Sequence, residues 1–171
     1  GGPLLPGSTG YATSPDGIEW TKHPDPVFEA GTADWEDYAV FACNILRDNG
    51  NFKMWYTGVS TDLEFCVGYA TSTDGILWQR DTINNPVLEP GDQGQWDESG
   101  VYAPRLLFID GIYYIWYSSN NGVIRQIGLA TSPDGILNFS KHTANPVLSP
   151  SPGTWDSGCL LYTSPSPQTV L

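Results

Sequence analysis

The sequence has few positive charges and no long apolar run. Only 7 Lys and Arg stand against 19 Asp and Glu, which gives a formal net charge of -12. A polyanion would be repelled by this field, so nucleic acid is not expected as a partner. No run of about 18 apolar residues is present, so a membrane span is not expected either. At 171 residues the chain is long enough for one ordinary domain.

Cysteine and histidine are also scarce, with 3 Cys and 2 His. Cys43 and Cys66 are predicted on the first and third strands of one sheet. Two inter-strand steps of about 4.8 Å each would separate their Cα atoms, which is more than the limit of about 7 Å for a disulfide. The two cysteines are therefore not expected to form a disulfide and are interpreted as buried small apolar side chains. His23 and His142 are expected at the surface, and no Cys/His cluster has metal-ligand spacing. No Gly-rich phosphate loop is present, so neither a metal nor a cofactor is expected.

An internal repeat organises the chain. The segment from Trp96 to Leu148 nearly repeats the segment from Trp35 to Leu88, and incomplete copies stand at both ends. A period of roughly 60 residues indicates propeller blades or solenoid units. The 19 Gly, 14 Pro and 13% aromatic residues suit short strands joined by tight turns. Each copy is therefore one structural unit, and function is expected where the copies differ.

The repeated motif SPDGIEW, STDGILW and SPDGILNF predicts a hairpin turn in each copy. Asp-Gly between apolar runs is a strong hairpin signal, because Gly accepts positive φ without steric cost. The Ser and Asp side chains can bond neighbouring backbone N–H groups. Asp16, Asp74 and Asp134 are therefore interpreted as turn caps, since a catalytic acid is needed once and not three times.

Two apolar strands and a Pro-containing segment complete each unit. The strand YYIWYSS is apolar or aromatic on both faces, which is typical of a strand sandwiched between stacked blades. Pro cannot donate to a sheet ladder, so the segments DPVF and NPVL are predicted to form the outermost strand of each blade.

These patterns predict an all-β fold, a partial five-bladed β-propeller with about two and a half blades of four antiparallel strands. The incomplete propeller domain is expected over residues 9–158, with complete blades at about 40–88 and 101–148. Residues 1–8 are expected to be an unstructured start. Residues 159–171 do not follow the repeat and are interpreted as a non-native tail.

The motifs GYATSPDGIEW, NPVL, WDESGV and PRLLFIDGIYYIWYSS together resemble the five-bladed propeller glycosidases. That group contains arabinanases, xylosidases, invertases and levansucrases of glycoside hydrolase families 43, 32 and 68, and the mannoside phosphorylases of family 130 are similar. The resemblance covers residues 9 to about 158. It implies a carbohydrate substrate and carboxylates around a central funnel, at the start of the inner strands.

The inner strands depart from the pattern that this resemblance implies. An acid is expected there in an Asp-Pro or Glu-x-Pro setting, but Tyr102 and Ala103 precede Pro104. In the other copy Ala42 aligns with Ala103, and Cys43 aligns with Pro104. The implied carboxylate would then come from blades outside this sequence, or the protein is not a hydrolase.

Copy-to-copy differences give another candidate pair of acids. Aligning Trp35 with Trp96 pairs Asp37 with Glu98 before the inner strands. Two carboxylates on neighbouring blades are what acid/base cleavage of a glycoside requires. Glu98 and Asp37 are therefore the predicted catalytic residues, with two solvated loop acids as the alternative.

Four further residues are predicted to bind substrate. Arg105 is suited to clamp a hydroxyl, carboxylate or phosphate, or else to pair with Asp97 or Glu98. Tyr102 can stack on a sugar or pack in the core. Asn44 takes the place of Arg105 in the first copy. Asp97 is also assigned to the site, with turn capping as its alternative.

The sequence therefore predicts a fragment of a propeller glycosidase that acts on polysaccharide or oligosaccharide by carboxylate acid/base catalysis. Two alternatives remain open: a non-catalytic carbohydrate-binding or scaffold propeller, and a glycoside phosphorylase in which Arg105 binds phosphate. The cellular location is left open, with a secreted or periplasmic protein as a candidate. Because blades bury their faces against each other, the fragment is expected to self-associate through open blade edges.

Overall fold

The computed structural model describes residues 7–120, 122, 124–157 and 160 of the chain. All the regular structure among them is β-strand, and none of them belongs to a helix that could cross a membrane. Most of the predicted unstructured start and of the predicted tail lies outside the described residues.

The described residues form ten strands. In chain order they are β1 (Ala12–Thr13), β2 (Thr21–Lys22), β3 (Ala39–Asp48), β4 (Asn51–Val59), β5 (Phe65–Ser72), β6 (Gln79–Arg80), β7 (Val101–Ile109), β8 (Ile112–Asn120), β9 (Arg125–Ser132) and β10 (Ser140–Lys141). They assemble into a two-stranded sheet, β1-β2, and two four-stranded sheets, β3-β4-β5-β6 and β7-β8-β9-β10, in which all neighbours are antiparallel. This confirms the predicted all-β, partial-propeller fold.

The outer edge of each blade differs from the prediction. The fourth strand is the two-residue segment after the Asp-Gly turn, and NPVL adds only single bridges, Leu88 to Val67 and Leu148 to Ile127. The physical reason lies in the residue before each Pro. The Asn85 side chain accepts the N–H of Tyr69 at 2.8 Å and donates to its carbonyl at 3.0 Å. An amide side chain thus takes the ladder bonds that the Pro segment does not supply.

The two large sheets stack through aromatic side chains. Trp55 of β4 is fully buried, and its ring centroid lies 5.6 Å from that of Tyr113 of β8. The Trp55 indole N–H also donates to the carbonyl of Gly135 at 2.7 Å. The Leu106 N–H donates to the Asn44 side chain at 2.7 Å, which joins β7 to β3. β3 and β7 are therefore adjacent inner strands, as in neighbouring blades.

The other face of each sheet is covered by the Trp that precedes its inner strand. A Cβ added at Gly58 would lie 2.2 Å from the Trp35 ring, and one at Gly68 would lie 2.4 Å from it. In the second sheet a Cβ at Gly128 would lie 2.7 Å from the ring of Trp96. The repeated Trp thus packs on its own sheet, where it fits only because glycine leaves the strand surface bare.

Both inner strands carry a bulge at equivalent positions. The β3–β4 register shifts between Phe41 and Asn44, and the β7–β8 register shifts between Tyr102 and Arg105. At the two bulges, Ala42 has φ 47° and Ala103 has φ 51°. The Thr57 side chain accepts the N–H of Ala103 at 2.9 Å, so the second bulge is held by the first sheet. Bulges of this kind re-aim neighbouring side chains and are common beside active sites.

Cys43 and Cys66 are both free thiols, as predicted. Cys66 is buried, whereas Cys43 is only half-buried, which differs from the prediction that both are buried. Burial raises the pKa of the Cys66 thiol to about 12, which leaves it protonated at neutral pH.

The Asp-Gly turns are capped as predicted. In the second copy, the Asp74 carboxylate accepts the N–H groups of Ile76 and Leu77 at 2.8 Å each, and the Ser72 hydroxyl donates to it at 2.9 Å. The same bonds recur at Asp16 and Asp134. These hydrogen bonds lower the pKa of Asp74, and the bond from the Leu77 N–H has the largest effect.

Replacing Asp74 with Ala is expected to lower the melting temperature at neutral pH, because two backbone N–H groups lose their acceptor. The folded pKa lies below the unfolded value of about 3.9. The contribution of the charge is therefore present above that value and lost as pH falls through the folded pKa. Asp74→Asn, which does not titrate, should reduce the loss of stability below about pH 4.

Calorimetric scans across acid pH measure both effects. Exposed Asp92, changed to Ala, serves as the matched control and should leave the transition unchanged. An unchanged melting temperature in Asp74→Ala would show that these bonds do not stabilise the turn.

Candidate functional site

The two predicted catalytic acids lie at the same end of the two sheets, where β3 and β7 begin. We call this the entry end. Asp37 precedes β3 and accepts the N–H of Thr61, which follows the end of β4, at 2.8 Å. Glu98 precedes β7 and accepts the N–H of Gly94. Both side chains are exposed. The structure thus brings the two acids to one end of neighbouring blades and leaves both open to a ligand.

The Asp97 carboxylate is bonded to other side chains of the protein and is not exposed to solvent. Its side chain is buried, pairs with the Lys141 ammonium at 2.6 Å and accepts the Tyr117 hydroxyl at 3.3 Å. Burial is the main factor that raises the pKa of Tyr117 above its usual range, and the neighbouring Asp97 carboxylate raises it further. The Asn145 side chain donates to the same hydroxyl at 3.2 Å. These contacts give Asp97 a structural place inside its blade and do not support the prediction that it binds substrate.

The first blade contains the same network with different residues. Glu36 is buried and accepts the Tyr56 hydroxyl at 3.0 Å and the Arg80 guanidinium at 3.0 Å. The Asn85 side chain donates to that hydroxyl at 3.3 Å. The acids that follow Trp35 and Trp96 therefore each anchor a blade through a tyrosine and a cation from the outer strand. A repeated carboxylate of this kind is structural, as the three turn aspartates are.

Asn44 and Arg105 lie between the two inner strands. The Asn44 side chain is occupied by the Leu106 N–H of the next blade. Arg105 donates to the carbonyl of Pro104 at 2.7 Å and to that of Cys43 at 3.4 Å. Both side chains join β3 to β7 next to the bulges, and their assignment to substrate binding stays a prediction.

Tyr102 belongs to an aromatic cluster at the entry end. Its ring centroid lies 5.6 Å from that of Phe65, and Phe65 lies 6.1 Å from Phe41. Asn120 donates to the Tyr102 hydroxyl at 3.3 Å. Sequence reasoning missed Phe65. The repeat carries a signal for it, because the aligned residue in the second copy is Arg125, and such copy-to-copy differences mark candidate functional positions.

The inner strands carry no carboxylate at their bulges, where Ala42 and Ala103 stand. Among residues 7–120, 122, 124–157 and 160, no group of three His, Cys, Asp or Glu is arranged to hold a metal ion.

The antiparallel four-stranded sheets, stacked as neighbouring blades, define a partial β-propeller. Residues 55–147 match the model of glycoside hydrolase family 130, described as beta-1,4-mannooligosaccharide phosphorylase. This match covers more than half of the chain, which therefore belongs to that family. It confirms the resemblance to the propeller group, whereas membership of family 43 is not confirmed.

Characterised relatives in sequence include phosphorylases and an invertase. The 1,2-beta-oligomannan phosphorylase of Thermoanaerobacter sp. (strain X514) is 34% identical over 113 residues, which are 60% of this chain and 37% of that protein. The raffinose invertase of Escherichia coli is 35% identical over 95 residues, 50% of this chain and 18% of that one. The chain thus spans little more than a third of the length of the first relative, and less of the second.

Solved structures agree on the fold. Zg3597, a family 117 glycoside hydrolase of Zobellia galactanivorans, matches with a TM-score of 0.68 and 22% identity, over 82% of this chain and 42% of that one. The beta-1,2-mannobiose phosphorylase of Listeria innocua, solved with beta-1,2-mannobiose, matches with a TM-score of 0.65 and 18% identity, over 87% of this chain and 38% of that one. At these identities the likeness supports the propeller fold alone.

Proposed function

We propose that the chain is part of a larger enzyme that cleaves glycosidic bonds in mannose-containing oligosaccharides. The main support is the family match over residues 55–147, together with the exposed positions of Asp37 and Glu98 at the entry end. The names of the phosphorylase relatives support mannosides as the substrate class.

In the proposed mechanism, Glu98 and Asp37 flank the scissile bond. One carboxyl group protonates the departing oxygen, while the other carboxylate assists the attacking acceptor or attacks the sugar itself. Which of these occurs depends on the carboxyl separation, about 5–5.5 Å for a covalent intermediate and about 6.5–9.5 Å for direct attack. Both acids are solvent-exposed, so each is accessible to substrate.

The acceptor defines two candidate reactions. Water gives hydrolysis, the function that the two carboxylates alone support. Phosphate gives phosphorolysis, which the family description and two relatives favour. In that case Arg105, beside the bulge of β7, is the candidate phosphate ligand through bidentate hydrogen bonds.

Product analysis of the longer protein with beta-mannobiose, in the presence and absence of inorganic phosphate, tests this proposal. Free mannose without phosphate indicates hydrolysis, and mannose 1-phosphate formed only with phosphate indicates phosphorolysis. If the folded, full-length protein cleaves neither beta-mannobiose nor longer beta-mannosides, the enzymatic proposal is refuted and a binding or scaffold role remains.

We also propose that the isolated chain self-associates through the face of the second sheet that points away from the first. On that face Ser118 aligns with Thr57, whose hydroxyl oxygen accepts the N–H of Ala103 across the sheets. By the repeat, the second sheet is built to bond to a third blade as the first sheet bonds to the second, and a second copy of the chain would supply that blade.

Sedimentation velocity at micromolar concentration is expected to show species larger than a monomer, without glycosidase activity. Ser118→Lys should shift the distribution toward monomer by placing a long charged side chain where Thr57 of the first sheet contacts its neighbouring blade. Exposed Ile83, changed to Lys, is the matched control and should leave it unchanged. A wild-type chain that stays monomeric throughout would contradict this proposal.

A further inference from the structure

The tip of the β3–β4 hairpin consists of Asn49 and Gly50, two residues that can react with each other. In an Asn-Gly pair the backbone nitrogen of the glycine can attack the side-chain amide carbon of the asparagine, because glycine has no Cβ to hinder the approach. Both residues are exposed, and a Cβ added at Gly50 would have no atom within 4 Å. Within the described part of the chain, the Gly50 N–H donates no hydrogen bond. The attacking nitrogen is therefore accessible.

The three capped Asp-Gly turns show the opposite situation. An aspartate followed by glycine can undergo the same ring closure, but in the second copy the Gly75 N–H donates to the Ser72 hydroxyl at 2.8 Å. The Asp74 carboxylate in turn accepts two backbone N–H groups. The N–H groups of Gly17 and Gly135 are bonded in the same way. In these turns both reacting groups are held by hydrogen bonds, whereas the glycine nitrogen at the hairpin tip is not.

The second blade shows that this hairpin accepts an aspartate in the place of Asn49. At the equivalent turn, between β7 and β8, the pair is Asp110 and Gly111. Their φ values are 50° and 82°, against 49° and 86° for Asn49 and Gly50. Both pairs have the positive φ at two successive residues that a tight two-residue hairpin turn requires. Aspartate at position 49 would therefore fit the turn without a change of backbone.

We propose that Asn49 is a site of spontaneous deamidation in the folded protein, in keeping with the thermal lability of asparagine. The Gly50 nitrogen loses its proton and bonds to the Asn49 side-chain carbon, and the amide nitrogen leaves as ammonia. Water then opens the five-membered succinimide at one of its two carbonyl groups. One opening gives aspartate, and the other gives isoaspartate, in which the main chain runs through the side-chain carbon. The reaction consumes one water and changes no oxidation state.

The two products should affect the molecule differently. Both replace the amide that donates to the Asp48 carboxylate at 2.9 Å by a second carboxylate. Isoaspartate also adds a methylene to the main chain between Asp48 and Asn51, which pair across the hairpin. Asp48 pairs with Lys53 at 2.8 Å, and Lys53 donates to the Tyr113 hydroxyl of the next blade at 2.9 Å. Isoaspartate is therefore expected to loosen this link between the blades more than aspartate does.

Peptide mass spectrometry of the chain after incubation in mildly alkaline buffer tests the site. Trypsin cleaves after Arg47 and Lys53 and releases a short peptide that contains Asn49 and Asn51. We expect this peptide to gain the mass difference between an amide and an acid, with fragment ions that place the change on Asn49. Asn51 is the internal control and should stay intact, because Phe52 follows it and hinders the attack.

The sequence contains a second Asn-Gly pair, Asn121 and Gly122, which falls in another tryptic peptide and is scored separately. Asn49→Gln should abolish the change in the first peptide, since a longer side chain closes the ring far more slowly. Asn49→Asp, which reproduces one product, should melt close to the wild type. The isoaspartyl fraction, separated by ion exchange, should melt at a lower temperature than Asn49→Asp.

The chain unfolded in urea is the reference for the effect of structure. Asn49 should react in both the folded and the unfolded chain. In weakly acidic buffer, where aspartate isomerises faster, enzymatic methylation of isoaspartate should label Asp16, Asp74 and Asp134 in the unfolded chain and leave them unlabelled in the folded one.

An Asn49 that stays intact in the folded chain while it reacts in the unfolded chain would overturn the proposal. Equal reaction of Asn51 and Asn49 would also overturn it, because exposure rather than the following glycine would then control the reaction. Labelling of the three turn aspartates in the folded chain would show that hydrogen bonds at the glycine nitrogen do not protect, and would remove the structural argument for Asn49.

Discussion

Glu98→Gln in the longer enzyme is expected to lower kcat about 10²–10⁴-fold while substrate still binds, because general acid–base catalysis contributes that factor. Asp37→Asn is expected to have an effect of similar size if Asp37 is the partner carboxylate. Neither substitution should unfold the protein, because both side chains are exposed. Steady-state kinetics with beta-mannobiose measures the effect on kcat, and binding of the uncleaved substrate measures Kd.

Asp97→Asn provides a sharp contrast. Asp97 is buried in an ion pair with Lys141, so this variant should lose stability before it loses turnover per folded molecule. Near-normal turnover in both Glu98→Gln and Asp37→Asn would contradict the assignment and move the chemistry to residues outside this sequence.

Trp55→Ala is expected to lower the free energy of unfolding by about 3–5 kcal/mol, as large-to-small substitutions of buried aromatics do. Trp55 is fully buried between the sheets and contacts both Tyr69 and Tyr113. The substitution also leaves the buried carbonyl of Gly135 without its indole donor. Urea unfolding, monitored by far-ultraviolet circular dichroism, measures the change.

Trp20 is the matched control, because it is 58% exposed. Trp20→Ala should cost much less than Trp55→Ala. Similar losses in the two variants would show that the interface between the sheets does not govern stability.

The repeat made most of the fold predictable. The repeat period and the apolar residues on both faces identify the long strands, because such a strand needs a packing partner on each side. In β4, Trp55 packs in one core cluster and Tyr56 in the other. The Asp-Gly turns follow from local chemistry that needs no tertiary contact. The outer edge was less predictable, since the bond from the Asn85 side chain to Tyr69 depends on how a distant segment crosses the sheet.

The candidate site was predictable only in part. Aligning the copies places Asp37 and Glu98 at equivalent positions, and the structure puts both at the entry end. The same alignment does not distinguish exposed Glu98 from buried Asp97, because burial depends on whether a cation such as Lys141 reaches across the blade. Phe65 was missed because its contacts with Phe41 and Tyr102 join strands that are distant in sequence.

Hydrogen–deuterium exchange of the chain, with and without a large excess of beta-mannobiose, tests most directly whether the entry end is the sugar site. If the entry end binds the sugar, peptides that contain Asp37, Phe65 and Glu98 are expected to be protected, with no change around the β3–β4 hairpin at Asn49 and Gly50. Protection confined to the hairpin end, or no protection anywhere, would contradict it.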